Sequence, residues 1–159
     1  MKKKATAKKP SASELAVKVI KKWEGFMPEP YLCPAGVPTI GYGSTRYENG
    51  DRVEMNDCNV DRKRGEEILL SFVKKVEAQV KKVVTVKLAP HQLGALISFT
   101  YNVGIGNLSS STLLKCVNSS PTLHTIPDEL RRWNKSKGKI FAGLTARRED
   151  EIKLYVGEL

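Results

Sequence analysis

The sequence predicts an α+β fold, mostly helical, in which a small β-hairpin lobe and a helical bundle flank a cleft. Three observations carry this. Apolar residues recur at helical spacing from Leu15 to Trp23, and again over most of the chain beyond residue 57. Between these stretches, residues 26–56 are rich in proline, glycine and β-forming residues. The length of 159 residues suits one domain, with a core that needs neither disulfide nor metal.

The elements follow in order. Residues 1–10 are expected to be a basic flexible tail, and residues 11–159 a single domain. Ser11-Ala12-Ser13-Glu14 fits a capping box, so a helix starts there and runs through Leu15, Val19, Ile20 and Trp23 to a stop at Gly25. Glu24 then closes its last turn. Pro28, Pro30, Pro34 and Pro38 mark residues 26–38 as loop. Residues 37–56 read as a hairpin region: a short strand through Thr39–Thr45, a turn at Glu48-Asn49-Gly50-Asp51, and a return through Arg52–Met55. Asp57 or Asn59 can cap a long helix reaching about Val84, with Ile68, Leu69, Phe72, Val73, Val76, Val80 and Val83 on its apolar face. Pro90 suits a helix start, and Leu93, Leu96, Ile97 and Tyr101 form the next stripe, ending at Gly104 and Gly106. Shorter helices are expected at Ser110–Val117, Pro127–Trp133 and Thr145–Val156.

Charge and cysteines narrow the function classes. The formal net charge is +10, of which Lys2, Lys3, Lys4, Lys8 and Lys9 supply half. Such a chain is drawn to polyanions. Nucleic acid is not the expected partner, because no helix-turn-helix, zinc finger or RNA-recognition pattern occurs. Cys33, Cys58 and Cys116 form no CxxC or CxxxH pattern, so no metal and no cofactor are expected. No apolar run approaches a membrane span, and no apolar segment follows the basic start as in a secretory signal.

The residues that carry chemistry lie at the junction of helix and hairpin. Glu24 closes a helix, Cys33 lies in the loop with eight residues between them, and Thr39 opens the strand with five residues between it and Cys33. A glutamate at a cleft can protonate a leaving oxygen, and hydrolysis of a glycosidic bond also needs help for a water on the far side of the sugar. Thr39 offers a hydroxyl that donates and accepts, suited to holding that water. A Cys33 thiol near 8.5 is mostly neutral at pH 7, and a neighbouring carboxylate would keep it so. It can orient a water, act as base through a thiolate fraction, or serve as nucleophile.

The pattern E-x8-(D/C)-x5-T followed by Ile40-Gly41-Tyr42-Gly43 resembles that of the phage-type lysozymes, the endolysin or muramidase glycoside hydrolases. Two further blocks carry the resemblance in the same order. Phe99–Gly106 with Ser110–Leu114 is similar to the family's SFxFNxGxG and SSTLL segments, and Gly143–Glu149 to its GLxxRRxxE helix, with Glu151 near the last position.

The resemblance implies a lysozyme-like fold and hydrolysis of the β-1,4 bond between N-acetylmuramic acid and N-acetylglucosamine in bacterial peptidoglycan. It implies Glu24, Cys33 and Thr39 as catalytic residues. Arg148 is implied as the partner orienting Glu24, with Tyr42, Asn102 and Ser111 lining the substrate site. Two alternatives stay open: a lytic transglycosylase acting on the same bond, and a non-catalytic wall-binding protein. A monomer is expected. It would accumulate in the host cytoplasm without an export signal and reach the wall or periplasm through a separate holin-type permeabilising partner.

Overall fold

The computed structural model describes residues 6–159. Residues 1–5 of the expected tail lie outside the described residues, and residues 6–10 are exposed, with no helix or strand. Helix α1 spans Ala12–Glu24 and starts with the expected capping box: the Ser11 hydroxyl accepts from the Glu14 amide while the Glu14 carboxylate accepts from the Ser11 amide. Its buried face is Ala12, Ala16, Val17, Val19 and Ile20.

The proline-rich stretch departs from expectation. Met27–Leu32 is strand β1, paired antiparallel with β2, Pro38–Gly41. The register runs Met27 to Gly41 and Tyr31 to Thr39, with an irregularity between. Pro28 and Pro30 sit in that irregularity. Proline has no N–H for a ladder but is tolerated on an edge strand or at a bulge. The expected partner, Arg52–Met55, does not pair with β2. The turn at Asn49-Gly50 exists, but it closes only an isolated bridge between Arg46 and Arg52.

Helix α2, Arg62–Val83, is capped by Asp61 rather than by Asp57 or Asn59. Asp57 is committed elsewhere, accepting from the Tyr47 hydroxyl at 2.6 Å and the Glu54 amide at 2.8 Å. Helix α2 meets the small sheet at Gly65. A Cβ at this position would lie 2.9 Å from the Phe26 ring, so any other residue would force that ring to shift.

Helix α3, Pro90–Val103, is buried on all sides from Gly94 to Thr100 and runs through the middle of the helical lobe. The expected helix at Ser110–Val117 is α5, Thr112–Ser119; before it, and not foreseen from the sequence, lies α4, Ile105–Ser110, with the break at Ser111. Helix α6, Ile126–Arg131, is followed by a hairpin not foreseen from the sequence, β3 at Lys135–Ser136 and β4 at Lys139–Ile140. Helix α7, Ala142–Tyr155, closes the fold. One apolar cluster reaches from Ala12 to Tyr155 and joins α1 to α7, with α4 contributing Leu108.

Candidate active site

Glu24 is positioned by the end of α1, which is tied down on both sides. Lys21 pairs with Glu66 of α2 at 2.6 Å. Lys22 and the Trp23 indole N–H both reach Asp150 of α7, at 2.7 and 3.0 Å. The Glu24 carboxylate therefore emerges at a fixed place between the β lobe and α7. Its side chain is 28% exposed, open to a ligand, while Arg147 beside it is only 6% exposed. Gly43, with φ at 79°, passes so close to Glu24 Oε2 that a Cβ there would stand 3.2 Å from it.

The cation at Glu24 is Arg147, not Arg148. Arg147 Nη1 donates to Glu24 Oε1 at 3.1 Å. Arg148 points into the core. It is fully buried, ion-paired with Glu151 at 2.8 Å and stacked over Phe99. Consecutive helical residues point about 100° apart, so only one of the two can face Glu24. Glu151, also fully buried, accepts from Ser98 at 2.9 Å and lies 3.5 Å from Arg147 Nε. A chain of charge thus runs Glu24, Arg147, Glu151, Arg148. Burial pushes the Glu151 carboxyl up against the pull of both arginines, and pushes the Arg148 guanidinium down.

The other side of the site is the loop that joins β1 to β2. Cys33 and Val37 close it: the Cys33 amide donates to the Val37 carbonyl at 3.0 Å, and the Gly36 amide to the Cys33 carbonyl at 2.7 Å. Backbone hydrogen bonds from Val37 and Ala35, with help from the Thr39 hydroxyl, hold the Cys33 thiol below its ordinary value. This differs from the expectation of a thiol kept neutral by a carboxylate: the peptide hydrogen bonds favour the thiolate, and burial alone opposes them. Thr39 is only 2% exposed, and its one hydroxyl proton goes to the Val37 carbonyl at 2.9 Å, from which it can turn to the sulfur when the thiol ionises. Its burial and this bond brace the loop.

Tyr31 links the two sides. It pairs with Thr39 across the sheet. Its phenol is pushed up by burial, then by the charges of Glu24 and Cys33. Tyr101 responds to Glu24 in the same way and meets Phe72 edge-on at 5.7 Å. In the sequence Tyr101 reads only as part of an apolar helix stripe, and Tyr31 carries no signal of its own although it lies inside the Glu24–Cys33 interval.

The three expected lining residues separate. Tyr42 is buried against Phe26, with ring centroids 5.1 Å apart, and belongs to the core. Ser111 is buried and caps α5, accepting from the Leu114 amide at 3.0 Å and donating to the Leu108 carbonyl at 2.6 Å. Its proton is committed to the backbone, and its helix-capping role leaves one lone pair at a pocket shared with Thr112, Glu129 and Trp133. Asn102 is exposed, and Arg148 Nη2 donates to its Oδ1 at 2.9 Å, so its amide N–H groups face outward. Among the described residues, no group of three or more His, Cys, Asp or Glu side chains is arranged to hold a metal ion.

The family model described as phage lysozyme matches residues 21–151. The endolysin of Bacillus phage B103 is 34% identical over 145 residues, covering 91% of this chain and 53% of that protein. The SAR-endolysin of Bacteriophage PS119 is 35% identical over 130 residues, covering 80% of this chain and 73% of that protein. The solved endolysin from Escherichia coli O157:H7 phage FAHEc1 superposes with a TM-score of 0.81 at 33% identity, covering 96% of this chain and 97% of the other. The chain spans about half the length of the first Bacillus phage relatives it matches.

Proposed function

Because the chain belongs to the phage lysozyme family, we propose that it hydrolyses the β-1,4 bond between N-acetylmuramic acid and N-acetylglucosamine in peptidoglycan, with Glu24 as acid. The observation that carries this is the half-open Glu24 carboxylate, fixed by Arg147 on one side and facing the Cys33 loop through Tyr31 on the other.

In this reading Glu24 gives its proton to the leaving glycosidic oxygen as the C1–O bond breaks. A water on the opposite face forms the new C1–O bond and passes a proton to the Cys33 sulfur. Thr39 is a positioning residue that holds the thiol and its loop. Arg147 keeps the Glu24 carboxylate aimed, and Arg148, through Glu151 and Asn102, keeps α7 and the end of α3 in phase. Asn102 is the one expected lining residue whose amide is left to meet an acetamido group.

The protein acts as a single domain and a monomer in this reading, without a cofactor. A holin-type partner brings it from the host cytoplasm to the wall, which lysis of cells expressing the chain alone would contradict. No helix of the described residues is long and apolar enough to cross a membrane.

The test is clearance of purified peptidoglycan by wild type and Glu24→Gln, with the fold checked by circular dichroism. Wild type is expected to clear it, and the variant to lose about two orders of magnitude or more. Equal clearance by both would remove Glu24 from the mechanism.

A further inference from the structure

A groove of about 640 Å³ lies on the β lobe, between the Val37–Pro38 edge and residues 45–56. Arg46 and Arg52 line it and face each other across the isolated bridge. Like charges directly opposite on paired strands oppose each other, so the arrangement is unfavourable without an anion. Among the described residues, Arg64, Arg131 and Arg132 find carboxylates within ion-pair distance, whereas Arg46 and Arg52 find none. Arg46 is held in place instead by its own turn, Nη1 donating to the Gly50 carbonyl at 2.8 Å, with the rest of its guanidinium fork free.

The groove adjoins the acid. Thr45 and Arg46 also line a small cavity with Gly43, Phe72 and Tyr101, and Gly43 lies against Glu24. At the other end, Val37 belongs to the Cys33 loop. A glycan held at Glu24 therefore has the groove beside it. Resting on the function proposed above, we propose that Arg46 and Arg52 grip the carboxylates of the peptide stem borne by the substrate glycan. A planar guanidinium binds carboxylates in a bidentate manner. Glu54 lines the same groove. One acid beside two arginines suits a peptide carrying both carboxylate and ammonium groups better than a uniform polyanion. Val37 and Met55, both exposed, offer apolar contact for the stem's short side chains.

The experiment compares soluble peptidoglycan fragments carrying peptide stems with the same glycan stripped of peptide by an amidase. The reading is the ratio of kcat/KM on intact over stripped substrate. Arg46→Gln/Arg52→Gln is expected to lower this ratio about tenfold, the order expected for losing charged hydrogen bonds. Arg46→Lys/Arg52→Lys, which keeps charge without the fork, is expected to fall between. Removing opposed charges should not lower Tm, and each single variant serves as a check on folding. An unchanged ratio in the folded double variant would overturn the proposal while leaving the hydrolase reading in place. A wild type that cleaves neither substrate would overturn that reading and this one with it.

Discussion

The helical side of the site holds its charges by burial, whereas the β side holds its thiol by peptide hydrogen bonds at a loop. On α7, Arg148 and Glu151 are fully buried and Arg147 nearly so, joined to one another and through Arg147 to Glu24. At the β1–β2 loop, Cys33 is only partly covered, and its character is set by Val37, Ala35 and Thr39 within six residues of it. The first arrangement couples the site to global stability. The second lets local geometry tune one group with little effect on the core. A buried ion network breaks as a unit, because removing one partner leaves the others charged and out of water. A loop held by its own backbone does not carry that penalty.

This contrast is open to attack at several points. The largest expected effect is on stability. Glu151→Ala would leave two buried guanidinium groups without their shared carboxylate and should cost about 3–5 kcal/mol. Cys33→Ala, on the other side, should stay within about 1 kcal/mol. Urea denaturation of both variants checks this, and comparable midpoint shifts would erase the distinction.

A smaller effect, read in kcat, concerns which arginine serves Glu24. Arg147→Lys keeps the charge but loses the planar fork, and should lower kcat about tenfold or more through misplacement of the acid. Arg148→Lys should act mainly on Tm. If Arg148→Lys gave the larger loss in kcat at preserved Tm, the phase of α7 described above would be wrong.

The smallest is a titration shift. A thiol held below its ordinary value is reactive at lower pH, since the thiolate is the nucleophile. Alkylation of Cys33 by iodoacetamide, followed site by site by mass spectrometry, should show a midpoint below that of a free cysteine, about 8.5. Thr39→Val should move that midpoint up, and Thr39→Ser should restore it. A midpoint indifferent to position 39 would reduce Thr39 to packing.

The same contrast explains what was legible beforehand. The capping box at Ser11–Glu14, the stop at Gly25 and the phase of α1 are local signals, so the place of Glu24 at a helix end could be read directly. The choice between Arg147 and Arg148 could not. It depends on the rotation of α7 against α3, which is set by Phe99 and Ser98 reaching it from another helix. The strand at Met27–Leu32 was hidden because prolines argue against strands, and only the bulge in its register makes room for them. Tyr42 and Ser111 sit within motif blocks, yet one packs in the core and the other caps a helix. A motif marks where a residue is needed, whether for chemistry or for folding.

In the proposed mechanism water attacks directly, with Glu24 as acid and Cys33 as base on the opposite face. The anomeric form of the first product, followed by NMR on soluble glycan fragments, decides whether this is so. A single displacement at a β-linked carbon inverts it, so the α-anomer is expected as the initial product. Initial β-anomer would instead require a covalent glycosyl intermediate, with Cys33 as nucleophile, and 1,6-anhydro ends would mean that no water attacks at all.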